Sequence, residues 1–449
     1  MAKAEKQYSE AEVEQLKIQI DRLERENRYY KKLMGSKRFQ FAEKIATGYN
    51  NVFPKNTKRR NAFEKTGKKV LSAVSAPRRH KANKRQQKIA DIAAKYDSVI
   101  VLNAIPWDIK LKQRPQHLAE ELRKLGYLVI YYEKDNTIKS FRIIKDGIIT
   151  INNLNLLNKV NTKAGHFYFM TPNNMPTDYD TVLMLKNAGY GIIYDYLDEF
   201  HEDISGDLSI QLKVWDNLAT IDPVLCCATA NRLIEQLKEH LGKNHAIIAA
   251  KNAVNVDHFN FEKNETKKPP MDLASIVKNN KPIVGFYGAL APWIDFDLIN
   301  SVAKKHQEWN FVFLGVDYGD AAAALEKGKN VYNLGAKNYS ILPEYVKYFD
   351  CAIIPFKQGE IAKATSPVKL FEYMAAGLPT VCTRDLDECR GYEYVYMAEN
   401  NADFEKKIKQ AIADHKDNDC RKKLLNQAEQ NTWTKRAEAI KEALDNIKK

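Results

Sequence analysis

The residues whose types and spacing carry the most chemistry run from Lys363 to Thr383, KATSPVKLFEYMAAGLPTVCT. Ser366 is a good helix N-cap, Pro367 suits the first helical position, Gly377 can close a helix and Pro379 prevents its continuation. The spacing therefore predicts a helix from about Pro367 to Ala376. Lys369 falls in its first turn, where the helix dipole disfavours a cation. A cation there gains a purpose if an anion sits at the helix N-terminus, held by free backbone N–H groups and the lysine together. Glu372, three residues on, shares the Lys369 face and could accept hydrogen bonds from sugar or ribose hydroxyls. A solvated Lys369–Glu372 ion pair is the competing reading.

Elements able to position such a site recur along the chain. DSVIVLN (97–103), YLVIYYE (127–133), GIITI (147–151), HFYFM (166–170), GIIYDY (191–196), VLCCAT (224–229) and HAIIAA (245–250) read as strands. Helical periods lie between several of them, for example Gln116 to Leu125, with Gly126 closing the helix. Strand and helix alternating in this way predict a parallel, doubly wound sheet. A polar, proline-containing stretch, 262–281, reads as a linker. The alternation then restarts with PIVGFYG (282–288), NFVFLG (310–315), NVYNLG (330–335), CAIIPF (351–356), PTVCT (379–383) and YVYMA (394–398). The expected fold class is α/β, with two Rossmann-like doubly wound domains facing a cleft, because ligands of open α/β sheets sit at the carboxyl ends of strands.

The 449 residues are 44% hydrophobic and 28% charged, which excludes a structureless chain. The longest apolar runs, such as Tyr127–Tyr132, fall far short of the ~18–20 residues that span a bilayer. The N-terminus carries no apolar core of a secretory signal, so a cytoplasmic location is expected. The six cysteines form no CxxC pair or metal-spaced cluster and read as reduced, buried thiols.

The net charge of +13 is unevenly placed. Between Ser36 and Ala90 sixteen Lys or Arg face two acids, Glu43 and Glu64, a net +14, so the rest of the chain sums to −1. With its interleaved aromatic and aliphatic residues, this stretch suits an anionic membrane surface. A nucleic-acid or other anionic-polymer partner is the alternative, and no RNA-binding motif with stacking aromatics supports it. Ahead of it, Val13, Leu16, Ile20, Leu23, Asn27, Tyr30 and Met34 follow alternating spacings of three and four. Those are the a and d positions of a coiled coil, and residues 8–34 predict a homodimer, against a surface helix on the same chain.

Several tempting motifs are better explained otherwise. Asp295-Phe296-Asp297 and Asp178-Tyr179-Asp180 match a short metal-binding DxD string, but Asp295 and Asp297 fit the first turn of a helix. His117, His201 and His258 read as surface or structural residues rather than ligands. No GxGxxG follows the first strand of either half and no GxxxxGK[ST] is present, which argues against a dehydrogenase or P-loop ATPase.

The run SPVKLFEYMAAGLPTV resembles the donor-binding helix of GT-B glycosyltransferases near family 4 (glycosyltransferase group 1), in the branch with Ser/Thr, Pro and Lys before EYxAxGxP. Further similar stretches follow in order: RPQHLAEELRKLGYLVIYYE (114–133), DPVLCCATANRLIEQL (222–237), NAVNVDHF (252–259), GFYGALAPWIDFDLI (285–299), YNLGAKNYSILPEYVKYFDCAIIPF (332–356) and NTWTKRAEAI (431–440). The resemblance covers about residues 96–449 and implies a GT-B fold with an acceptor domain (96–261), a linker (262–281), a nucleotide-sugar domain (282–425) and a C-terminal helix returning to the first domain (426–449), preceded by the coiled-coil helix (1–35) and basic segment (36–95) read above.

It also implies roles. Glu372 becomes the carboxylate on the nucleotide ribose, and Thr365, Ser366 and Lys369 hold the diphosphate, with Pro367 among them in the donor site. Asn338 and Tyr339 meet the nucleobase, partly through backbone, and Gly288 and Ala289 lie close to phosphate or sugar. Arg114 and Asp195 stand on the acceptor side, and Asp198 orients the sugar. No metal or other cofactor is expected. The partner that the resemblance implies is a nucleotide-diphospho-sugar donor, with retention of configuration. The acceptor does not follow from the resemblance; the basic segment, which suits a bilayer surface, favours a lipid-linked or polymeric glycan of the cell envelope and a peripheral place at the membrane.

Two departures stand out. The family's E-x7-E pair would place its first Glu at Ala364, and Ala289 stands where an arginine usually clamps the diphosphate. Lys369, with Arg114 from across the cleft, would have to compensate. A catalytically silent GT-B partner subunit of another transferase is therefore the alternative function.

Overall fold

The structure is a computed structural model that describes residues 83–109, 112–133, 141–160, 165–173, 176–263 and 268–447. The expected coiled coil (8–34) and most of the basic segment (36–90) lie outside the described residues.

The first sheet is built from β1 (Val99–Asn103), β2 (Leu128–Tyr132), β3 (Phe141–Lys145), β4 (Ile148–Ile151), β5 (Gly165–Thr171), β6 (Gly191–Tyr196), β7 (Leu225–Ala228) and β8 (Ile247–Ala249). Its order is β3-β4-β2-β1-β5-β6-β7-β8. Only β3 runs antiparallel, against β4. β1 sits centrally, with Val99 paired to Leu128 on one side and Gly165 on the other. Every residue of β1, β2, β4 and β5 is buried, as a parallel sheet covered on both faces requires. The second sheet comprises β9 (Ile283–Tyr287), β10 (Asn310–Leu314), β11 (Val331–Asn333), β12 (Cys351–Ile354), β13 (Thr380–Thr383) and β14 (Val395–Ala398). They lie in the order β11-β10-β9-β12-β13-β14, all parallel.

Two details differ from the sequence expectation. The stretch read as a linker holds a helix, Met271–Lys278, whose Leu273 and Ile276 are buried in the core of the second sheet. A run ending at residue 93 is helical and buries Ile89 and Ala93 in the core of the first, so that domain begins before residue 96.

The C-terminal helix Trp433–Ile447 belongs to the first domain by packing. Trp433, Ala437, Ile440 and Leu444 join Leu102, Leu118 and Leu122 in one buried cluster. Each such fully buried aliphatic side chain contributes about 1.5–3 kcal/mol. All six cysteines are free and buried. Asp295 and Asp178 cap helices, accepting from the N–H groups of Leu298 and Thr181, which accounts for both DxD strings.

Candidate active site

The donor-type helix spans Val368–Ala375, with Pro367 at the N-cap in an extended conformation. Ser366 is not the cap. Its hydroxyl accepts from the Asn252 N–H at 3.2 Å, and its carbonyl accepts from Asn252 Nδ2 at 2.6 Å. Proline at the cap position offers no side-chain acceptor, which leaves the Val368 and Lys369 N–H groups for an anion, while the Leu370 N–H donates to the Pro367 carbonyl at 3.1 Å. The helix ends as expected, with Gly377 in the left-handed region at φ 67°.

The segment just ahead of this helix is wedged against the first domain. Ala364 is fully buried among that domain's core residues, and Val368 packs on the same domain's other cluster. Ala364 is the position where the family pattern expects a glutamate. A carboxylate there would enter an apolar contact with no partner, so the departure follows from how the two domains meet.

Asp198, four residues after the start of the buried Tyr194–Tyr196 run at the end of β6, faces this segment. Burial pushes its carboxyl up to about 7, against the opposing pull of Arg114, a contact with Thr365 and the charge of Lys369. The Thr365 hydroxyl itself donates to the Ile361 carbonyl at 2.6 Å. Burial lowers the Lys369 ammonium to about 8, although Glu372, Cys389, Cys382 and Asp198 all favour its charge. Its Nζ lies 5.3 Å and 5.2 Å from the ring centroids of Phe286 and Phe356. Glu372 is 4% exposed, and burial raises it to about 7 despite hydrogen bonding and the nearby lysine. Three ionisable groups from two domains are thus held together in surroundings that penalise the charge of each.

Gly288, at the end of β9, belongs to the same place. A Cβ at this position would stand 2.9 Å from Lys369 Cε, and its φ of 135° suits glycine alone. Ala289 follows it, half-buried.

Tyr287 was not foreseen. Its hydroxyl donates to Glu372 Oε2, and its own N–H donates to the Tyr373 hydroxyl at 2.9 Å. A tyrosine directly ahead of a strand-end glycine carries a weak signal, since alternate residues there turn toward the helix layer. Tyr339 packs its hydroxyl against the same carboxylate. Its ring stacks on His258 at 4.5 Å, and its carbonyl is taken by His258 Nε2 at 2.8 Å. That bond takes one of the two lone pairs of the Tyr339 carbonyl. Asn338 is exposed beside it. His117 and His258 are structural: His117 stacks on Trp433 at 5.0 Å, and burial holds both rings toward the neutral form.

Arg114 and Asp195, expected on the acceptor side, hold each other. The guanidinium binds the carboxylate through Nε at 2.8 Å and Nη2 at 3.1 Å, and Tyr168 adds a hydroxyl at 2.7 Å. Nη1 reaches the Lys251 carbonyl and Asn252 Oδ1. Arg114 is 4% exposed with its donors committed, so it does not clamp a phosphate across the cleft as the sequence suggested. Its charge still favours the ionised form of Asp198.

The arrangement can hold an anion at Lys369 and the helix N-terminus, a diol at Glu372, and a further polar group at Asp198. Residues 272–432 match the family Glycosyl transferases group 1. Over 130 residues the chain is 35% identical to a protein of Bacillus subtilis (strain 168) named "Putative teichuronic acid biosynthesis glycosyltransferase TuaH". That match covers 27% of this chain and spans only about a third (33%) of the relative's length. Among solved structures, a sucrose-phosphate synthase from Thermosynechococcus elongatus superposes with a TM-score of 0.59 at 12% identity, over 78% of this chain and 99% of the other. The Anabaena protein HepE, in complex with UDP and glucose, gives 0.55 at 14% identity, over 78% and 100%. At these identities the structural likeness speaks for the fold. The chain has a GT-B fold, and residues 272–432 of it, which hold the second sheet, are similar to the glycosyl transferases group 1.

Proposed function

We propose that the protein transfers a sugar from a nucleotide-diphospho-sugar to a polysaccharide or glycolipid of the cell envelope, with retention of configuration. The observation that carries this reading is the meeting of Lys369 and Glu372, on one face of a helix with a free N-terminus, with Asp198 from the opposite domain. The Lys369 side chain and the N–H groups of Val368 and Lys369 take the negative charge that develops on the leaving diphosphate, so no metal is required. Glu372, aimed by Tyr287, holds the ribose diol. The acceptor hydroxyl attacks the anomeric carbon on the face the diphosphate leaves. Its proton passes to the departing phosphate oxygen, and Asp198 orients the sugar. The names of the teichuronic acid relative and of the UDP-bound neighbour support the acceptor and donor classes.

Turnover of UDP-, GDP- and dTDP-sugars, read as release of the nucleoside diphosphate with membrane-derived glycolipid present, tests the reading. Asp198→Asn should lower kcat on the order of 100-fold with little change in KM. Equal rates in wild type and variant would remove Asp198 from the chemistry. The silent-partner reading draws on Ala364 and Ala289, and absence of turnover with every donor would favour it. The basic segment 36–90 is proposed to hold the enzyme at an anionic membrane, and residues 8–34 to pair two copies. Deleting residues 1–84 should abolish binding to phosphatidylglycerol vesicles and halve the mass in sedimentation; retained binding would contradict the anchor.

A further inference from the structure

The segment after β8 ties the two sides of the site through one amide side chain. Asn252 Nδ2 donates to the Ser366 carbonyl at 2.6 Å, and the Asn252 N–H donates to the Ser366 hydroxyl at 3.2 Å. On its other side, Asn252 Oδ1 accepts from Arg114 Nη1 at 3.3 Å. That guanidinium is locked to Asp195, three residues before Asp198. Ser366 lies three residues before Lys369.

We propose that Asn252 is a positioning residue. It fixes the Thr365–Ser366 loop of the second domain to the Arg114–Asp195 pair of the first, and thereby sets the spacing between Asp198 and Lys369 across the cleft.

The chemistry of the partners selects the residue type. A guanidinium only donates and a carbonyl only accepts, so the bridging group must accept on one side and donate on the other. A primary amide does both, and its orientation here is fixed, because a flip would set donor against donor and acceptor against acceptor. Aspartate preserves the acceptor toward Arg114 and loses the donor toward Ser366. Alanine loses both side-chain bonds.

The domains do not depend on Asn252 to stay together. Glu388, 3% exposed, accepts from the Asn231 N–H at 2.6 Å and pairs with Lys251 Nζ at 2.6 Å, and Arg232 pairs with Glu360. These contacts leave the junction closed when the Asn252 side chain is removed, so the tie can be tested in a folded protein.

The inference takes its consequence for catalysis from the donor-site reading, but its test needs no ligand. Amide hydrogen exchange is followed in wild type, Asn252→Ala and Asn252→Asp. Asn252→Ala should speed exchange about tenfold or more both at 364–371 and at 112–118, the size of effect that one lost hydrogen bond gives. Asn252→Asp should speed it at 364–371 alone. Unchanged exchange in Asn252→Ala, or equal loosening of both segments in Asn252→Asp, would overturn the proposal. UDP titration runs alongside with Glu372→Ala as control. UDP binding that is indifferent to Glu372→Ala would refute the donor-site reading while leaving the exchange result to decide the role of Asn252. Where UDP binds through Glu372, Asn252→Ala should lower turnover at least tenfold and change KM less than about threefold; a change confined to KM would assign Asn252 to binding alone.

Discussion

Lys369→Met should make the free protein more stable and its donor site useless. The lysine keeps a charge that its surroundings penalise: burial takes it from 10.5 to about 8, a drop of roughly 2.5 pH units. At about 1.4 kcal/mol per unit this is roughly 3 kcal/mol against the charged form. Methionine fills similar volume without charge, but it deprives Glu372 and Asp198 of a favourable neighbour, so a net gain of about 1–2 kcal/mol at pH 7 is expected. At about 2–4 °C per kcal/mol for domains of 150–250 residues, the melting temperature should rise by about 2–8 °C. The sign with pH follows from linkage. A lysine with a lowered folded pKa costs stability below about 8, and that cost fades as pH rises toward 10.5, where the unfolded side chain also loses its proton. The difference in melting temperature between variant and wild type should therefore be greatest at pH 7 or below and vanish near pH 10. Differential scanning calorimetry from pH 6 to 10 reads it. A variant that is less stable at pH 7, or a difference that ignores pH, would refute the claim that Lys369 is held charged at the expense of the fold.

Other expectations concern the same cluster. Glu372 and Asp198 are both raised to about 7, so the stability they confer in the protonated form is present near pH 4 and lost as pH climbs through 7. Glu372→Gln should flatten the part of this fall that Glu372 owns, which pH-dependent urea denaturation will show, and should weaken nucleotide binding about tenfold or more. Gly288→Ala should displace Lys369 through a Cβ only 2.9 Å from Cε, with added strain from φ 135°; calorimetric titration should show nucleotide affinity falling more than stability does. Ala364→Glu restores the family's residue but buries a carboxylate in the core of the first domain. It should cost about 2 kcal/mol or more and restore no activity, as melting and turnover assays together will tell.

Much of the architecture was legible because parallel strands buried on both faces write themselves as continuous apolar runs, as YLVIYYE and NFVFLG do. β3 escaped because FRIIK is a short edge strand with charges at its second and last positions, features that keep such an edge from pairing further. The Met271–Lys278 helix was hidden between prolines and lysines, with only Leu273 and Ile276 to mark its buried face. Within the site, the local grammar of the Lys369–Glu372 helix was readable from cap to stop. The partners were not, because they come from far along the chain. Tyr287 meets Glu372 across 85 residues, Asn252 meets Ser366 across 114, and Arg114 meets Asp195 across 81. The misplacing of Arg114 has the same origin, since an arginine in a loop looks free until its carboxylate is found. Ala364 showed in the sequence as a missing glutamate, and only the contact between domains gives the reason.

The central claim, a nucleotide-sugar site built on Lys369 and Glu372, is tested most directly by isothermal titration with UDP, GDP, dTDP and CMP and their sugar conjugates, in wild type, Lys369→Ala and Glu372→Ala. The account predicts that one nucleotide class binds the wild type and that each substitution weakens it by about tenfold or more. Binding that survives both substitutions unchanged, or no binding by any class, would contradict it.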